Sequence, residues 1–296
     1  LKHKDLAMGG QAVIEGVMMK SPTMIVTSVR RTSGEIVSRV EPYVSVTRRH
    51  KLLGIPVLRG AVMLFEQLYH GMKSLTFSAE VASAGEGEVK QKKGWTSSLW
   101  AVVTIVVALA LGLLLFFYVP LLIAHHSGVK GSVLFNLVDG AVRLVIFFMY
   151  LAVLNAWKDM RRVFEYHGAE HKSIHAYEHG EPLEVANVKK YTTRHPRCGT
   201  SFLLVVMVVS IVVFIFTGRP DTVRERLLRL VVVPLIAGIS YEVTRLAGKY
   251  REGLVMRIIT VPGLALQRFT TREPSDEQIE VALEALRQTV TTEAGA

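Results

Sequence analysis

Four stretches of the chain stay apolar for longer than a soluble helix or strand requires. Residues 99–123 carry no formal charge over 25 positions, and about 20 apolar helical residues cross a bilayer core. A run this long and this far from the N-terminus is no signal peptide. Pro120 sits near its end, where a helix tolerates proline. A second run, 141–157, is broken only by Arg143 and Asn155. A third, 198–218, is uncharged, and its valines and isoleucines would suit a buried strand only if it were shorter. The fourth, 227–247, carries Arg229 near one end and Glu242 and Arg245 near the other. Residues 254–266 are apolar but too few to cross and hold Arg257, Pro262 and Gly263, which predicts an interfacial or re-entrant segment.

The periodicity differs outside these runs. Residues 24–31 and 35–40 are rich in Val, Ile and Thr around Thr32-Ser33-Gly34, the pattern of a hairpin with a glycine turn. Residues 12–19 predict a further strand. Residues 56–82 show helical spacing, with Val57, Ala61, Leu64, Leu68 and Met72 on one side. That apolar face suits the bilayer, the other helices, or a second copy of the chain. Residues 83–93 read as a solvated linker. Near the C-terminus Ser275 and Gln278 form a capping box. The stripe Ile279, Leu283, Leu286 and Val290 follows, as a packing or partner surface. The expected architecture is an α-helical integral membrane protein of about four transmembrane helices plus the interfacial or re-entrant segment. A small α+β domain precedes it. The divisions are 1–98 (N-terminal domain and linker), 99–269 (transmembrane domain with a His/Glu-rich loop, 158–201) and 270–296 (C-terminal helix). The chain starts at Leu1, as a truncated or processed chain would.

Composition narrows the class. Half of the 296 residues are hydrophobic and 20% are charged, which excludes disorder over most of the chain. One cysteine excludes an internal disulfide. The net charge of +10 fits basic flanks of membrane helices. Lys90, Lys92 and Lys93 have no interleaved aromatics, so no nucleic-acid partner is expected. Lys and Arg number fourteen in residues 1–98, one in 125–140, eight in 158–201 and six from 248 onward. The basic segments belong in the cytoplasm, which predicts a multi-pass plasma-membrane protein with both termini inside. Arg219, Arg224 and Arg226 make the outer loop 219–226 less clean.

The chemistry gathers in the second basic loop. His167, His171, His175 and His179 fall within thirteen residues. At 100° per residue the first three share a helical face, joined by Glu170 and Glu178. This helix is expected to continue from the second span. Histidines at i and i+4 can grip one divalent ion, and His-x-x-Glu-His is the inverted zinc-protease motif. In that chemistry His167 and His171 hold zinc and Glu170 is the catalytic base. His175, Glu178, His195 and Cys198 are the further metal-ligand candidates. Glu242 and Arg245, three apart, read as a mutual ion pair or as Glu242 reaching the histidines. Asp139 and Arg143 read as a structural pair.

These segments also carry a resemblance. Residues 9–19 (GGQAVIEGVMM), 165–172 (EYHGAEHK), 195–202 (HPRCGTSF) and 270–274 (TTREP) resemble the signatures of the YqhQ-like bacterial membrane proteins. That resemblance implies a metal-dependent enzyme of undefined substrate, with a metal at His167, His171 and their neighbours. It adds Glu15, offered by a Gly-Gly loop or else simply part of a tight turn. The leading expectation is therefore a membrane-embedded, zinc-dependent hydrolase. A scaffold or assembly factor, with a structural metal or none and a membrane-associated partner, is the second. A transporter or channel subunit is the third, though no repeated halves favour it.

Overall fold

The computed structural model describes residues 8–84, 95–196, 198–249 and 254–294. Four antiparallel strands, β1 (Gly9–Val13), β2 (Gly16–Lys20), β3 (Met24–Arg30) and β4 (Ile36–Pro42), pair in sequence order. The hairpin expected around Thr32-Ser33-Gly34 is β3–β4, with Gly34 at φ 92. The single strand expected over 12–19 is instead the end of β1, a turn and β2. Ile14 and Glu15 form that two-residue turn, and Val13 pairs with Gly16. Glu15 holds φ 51, and its carbonyl accepts from the Arg30 amide at 2.8 Å.

A short helix, α1 (Val46–Arg49), leads to α2 (Leu58–Ser83). Most of the apolar stripe read for α2 is not its packing face. Gly60, Ala61, Gly71, Ser74 and Ser78 are buried, whereas Leu64, Leu68 and Met72 are exposed beside Phe65 and Tyr69. Small side chains let the backbone approach its neighbours closely. A Cβ on Gly60 would lie 2.6 Å from Tyr241 and 2.9 Å from Gly238.

The apolar runs become long helices. α3 (Trp95–Leu113) passes through a π turn (Leu114–Tyr118) into α4 (Val119–His126). The π turn lies beside Pro120, which lacks the amide hydrogen a regular turn needs. α5 (Ser132–Ala156) starts nine residues before the apolar run read from sequence. Trp157 is extended, at φ −83 and ψ 127, so α6 (Lys158–Glu178) begins afresh and is not continuous with α5. α7 (Val185–Val188), α8 (Gly199–Thr217), α9 (Val223–Val231) and α10 (Val233–Lys249) follow. Four stretches, 103–126, 132–156, 199–217 and 223–247, are helices long and apolar enough to cross a membrane. The segment expected to be interfacial or re-entrant is one helix, α11 (Leu254–Thr270), with Pro262 inside it. It packs along α8, where a Cβ on Gly263 would meet Ser201 at 2.6 Å.

A polar knot ties the spans together. Arg143 donates to Asp139 at 2.7 Å and to Ser210 at 2.9 Å. Arg229, 2% exposed, donates to Asn136 at 2.5 Å and to the Gly218 carbonyl at 2.6 Å. Both guanidinium groups lie over the Phe214 ring, at 5.2 and 4.6 Å. Charges that would be costly in hydrocarbon are thus turned inward and partnered.

The layer that contains the sheet is assembled from three separate segments of chain. α12 (Asp276–Ala294) starts at the Ser275–Gln278 capping box. It buries Ile279, Leu283 and Leu286 against Val17 and Met19 of the sheet and Tyr166, Ala169 and Ile174 of α6. Each such side chain contributes about 1.5–3 kcal/mol on burial. The other sheet face meets α2 through Val13, Val29 and Val81. α6 is therefore held between the sheet and the membrane helices, and it carries the histidines.

Candidate metal centre

The i, i+4 spacing puts His167 and His171 on adjacent turns of α6, with ring centroids 4.3 Å apart. Each ring is oriented by a backbone carbonyl. His167 Nδ1 lies 2.7 Å from the Thr270 oxygen, and His171 Nδ1 lies 2.5 Å from the Thr193 oxygen. Only an Nδ1–H can donate there, which assigns the tautomer and leaves each Nε2 as a lone-pair donor. Metal-binding histidines are held in this way. Cys198 is the N-cap of α8, and its sulfur is 3.2 Å from His167 Nε2. One donor atom each from His167, His171 and Cys198 lies within 4.8 Å of the others.

Two further atoms in this region lack partners. His171 Nε2 and Glu170 Oε2 are buried without a hydrogen bond, and their residues are only 1% and 4% exposed. Buried polar atoms are normally satisfied by protein, water or an ion, so this pair marks a place where one of these can sit. Glu170 is pressed against β1. A Cβ on Gly10 would come within 2.7 Å of its Cδ, so only glycine leaves the carboxyl its place. Burial pushes the Glu170 carboxyl up to about 8, with His167 opposing the rise and Cys198 adding to it. Burial pushes the His171 imidazole down. Burial also pushes the Cys198 thiol up, but His171 and Thr200 outweigh it and the net shift is downward. Two imidazoles and a thiol make a donor set able to hold a divalent ion such as zinc.

The remaining candidates form a second set. One atom each from His175, Glu178 and His195 again lies within 4.8 Å of the others. His195 Nε2 is 3.3 Å from Glu178 Oε1, and His175 Nε2 donates to the Arg194 carbonyl at 2.8 Å. The two sets adjoin, with the His171 and His195 centroids 5.8 Å apart. Gln267 of α11 fixes this loop. It accepts from the His195 amide and donates to the His195 carbonyl, each at 2.8 Å. The six ligand candidates therefore divide into two triads, and His195 and Cys198, three residues apart, serve different ones.

Glu15, Glu242 and Arg245 lie outside both sets. Glu15 pairs with Arg162 on the rim and accepts from the Tyr166 hydroxyl at 3.2 Å. The carboxyl that faces the Gly-Gly segment is Glu170, not Glu15. Glu242 pairs with neither Arg245 nor the histidines. Arg59 from α2 reaches it first, at 2.7 and 2.5 Å, because the Gly60–Gly238 contact brings α2 against α10. Arg245 instead lines a cavity of about 740 Å³ whose wall includes Glu170, His171, His195 and Cys198. Gly10 and Thr270 fall in the 9–19 and 270–274 signatures, but Thr193 and Gln267, which also hold the site in place, lie outside every motif read from the sequence. Thr193 and Thr270 are needed only for their carbonyls.

Residues 55–292 match the family described as "Protein of unknown function (DUF1385)". The chain belongs to this family. A family relative, "Uncharacterized protein YqhQ" of Bacillus subtilis (strain 168), is 33% identical over 312 aligned residues. The alignment covers 99% of this chain and 95% of the relative, and so takes in the sheet that precedes the family match. No solved structure matches the chain.

Proposed function

We propose that this family member is a metal-dependent hydrolase working where the cytoplasmic face of the plasma membrane meets the layer that contains the sheet, with both termini inside. His167, His171 and Cys198 would hold one divalent ion, and zinc fits that donor set best. The observation that carries the reading is three convergent donors beside a buried, partnerless carboxyl, opening on a cavity rather than closed by a fourth ligand. Three protein ligands with one side open mark catalytic zinc sites, whereas four closed ligands mark structural ones. The ion would supply Lewis acidity at that opening. Glu170, as its carboxylate, would take a proton from an attacking water and return it to the leaving group. The Thr270 and Thr193 carbonyls keep the two imidazoles in the required tautomer throughout. His175, Glu178 and His195 would either orient the substrate or hold a second ion.

The test is elemental analysis of the full chain purified in detergent without added chelator. One or two zinc equivalents are expected, falling by one in both His171→Ala and Cys198→Ser. Unchanged metal content in both variants overturns the ligand assignment. Metal retained with no hydrolysis of any ester tried would move the reading to a scaffold with a structural ion.

A further inference from the structure

The cavity beside the donor atoms is more basic than a metal centre needs. Its lining includes Lys20, Arg48, Arg59 and Arg245, and Glu170 is the one acidic residue among the described lining residues. Arg59 is matched by Glu242, and Lys20 stands 4.0 Å above the Tyr43 ring. The guanidinium groups of Arg48 and Arg245 make no hydrogen bond or close ion pair among the described residues, and both are exposed; Glu293 and Glu242 act on them only electrostatically. They come from different elements, Arg48 from α1 and Arg245 from α10. Gly199, the first residue of the 19-residue helix α8, lines the same space and brings the positive end of a helix dipole. The unpartnered buried atoms His171 Nε2 and Glu170 Oε2 belong to residues of this wall. His171 Nε2 is spoken for by the proposed ion, but Glu170 Oε2 is not one of its ligands and stays buried and unsatisfied on this wall.

We propose that this cavity binds a phosphate-bearing ligand, its phosphoryl oxygens received by Arg48 and Arg245 and its ester linkage directed toward Glu170 and His171. A phosphate carries several charged oxygens and can bridge cations from different elements, whereas a carboxylate is satisfied by one arginine fork. Phosphoryl transfer depends chiefly on positioning and on neutralising charge at those oxygens, and here cations and base share one space. The wall residues Arg59, Met63 and Gln67 adjoin the exposed Leu64, Phe65, Leu68 and Tyr69 of α2. A lipid headgroup and a soluble phosphoester can therefore both reach the site. The inference rests on the proposed hydrolase for its catalytic use, but binding of the anion does not require the metal.

The test uses the full chain in maltoside micelles, which hold no phosphate, with chelator present. Inorganic phosphate and glycerol phosphate probe the soluble source by calorimetry, and short-chain phosphatidic acid probes the lipid source. Saturable binding of at least one probe is expected. Arg48→Gln and Arg245→Gln should each weaken it about tenfold, the size of one charge-assisted hydrogen bond. Arg245→Lys should keep part of the affinity. Arg30→Gln, whose native arginine is paired with Glu280 outside the cavity lining, should leave it unchanged. Arg48 and Arg245 lose only electrostatic contact with Glu293 and Glu242 and no hydrogen bond, so a thermal midpoint close to wild type shows that the variants fold. No saturable binding of any probe overturns the proposal, as does wild-type affinity in both glutamine variants. Since zinc content is measured separately, loss of the metal reading and loss of this one give different results.

Discussion

Replacing Glu170 by Gln should change how stability depends on pH. The wild-type carboxyl is buried and its pKa stands at about 8, against an ordinary value near 4.5. Between those values the folded chain holds a proton that the unfolded chain has released. Stability therefore falls as pH rises through this window, by about 1.4 kcal/mol per unit. At pH 7 the accumulated penalty is about 3 kcal/mol. Glutamine is close in shape and cannot ionise, so the variant lacks this slope. The difference between variant and wild type should be small at pH 5, grow to about pH 8 and then level off. The offset between the curves also contains the cost of a buried amide, so the slope decides the matter. Unfolding in mixed micelles with chelator present, followed by tryptophan fluorescence, measures it. Repeating the series with excess zinc should flatten the ramp, because a cation among His167, His171 and Cys198 favours the carboxylate. Parallel curves for variant and wild type across pH 5–8 would refute the burial argument. A ramp insensitive to zinc would separate Glu170 from any metal.

Asp139→Asn should destabilise the spans by about 3 kcal/mol, since it leaves Arg143 and Arg229 buried without a countercharge; the same micelle unfolding assay reads it. Gly168→Ala should cost about 2 kcal/mol, because a Cβ there overlaps the Arg272 carbonyl. By shifting the 270–272 segment it should also lower zinc content, which a purely local packing defect would leave intact. Arg162→Ala removes a rim pair with Glu15. The arginine is about half exposed, so the change should alter stability by less than about 1 kcal/mol, and a larger loss by thermal unfolding would assign Glu15 a structural role.

What the sequence made legible follows from how local each feature is. Apolar length alone identified the four spans, because desolvating a backbone demands a long helix whatever its neighbours do. It placed the start of α5 late because Asn136 and Asp139 interrupt the apolar run; the pairing of Asp139 with Arg143 was legible, but Arg229 and the Phe214 ring, which complete the polar cluster, come from other helices. The 56–82 helix was legible from its period, yet its packing face was not, since glycine and serine carry no hydropathy signal and act through close approach. Val13 and Gly16 flank a turn whose residues, Ile14 and Glu15, are poor turn formers, so β1 and β2 merged into one apparent strand. In the site, the i, i+4 histidines and the thiol at the head of α8 could be read from spacing. Their division into two triads could not, because it depends on Gln267 clamping the His195 loop and on where Thr193 and Thr270 place their carbonyls.

That dependence gives the architecture its sense. α11 touches the site three times: its Gln267 holds the loop of the second triad, its Thr270 carbonyl orients His167, and its chain continues to Arg272, whose amide donates to the Phe164 carbonyl of α6 at 2.9 Å. The same helix lies along α8, whose N-cap is Cys198. The donors on α6 and on α8 are therefore aligned through a helix packed among the spans, and not through the core of the layer that contains the sheet. A site built this way keeps its geometry only while the membrane helices keep their packing. The hydrophobic core of sheet, α6 and α12 carries His167 and His171, but Cys198 comes with α8, and the carbonyl that turns His167 toward it comes with α11.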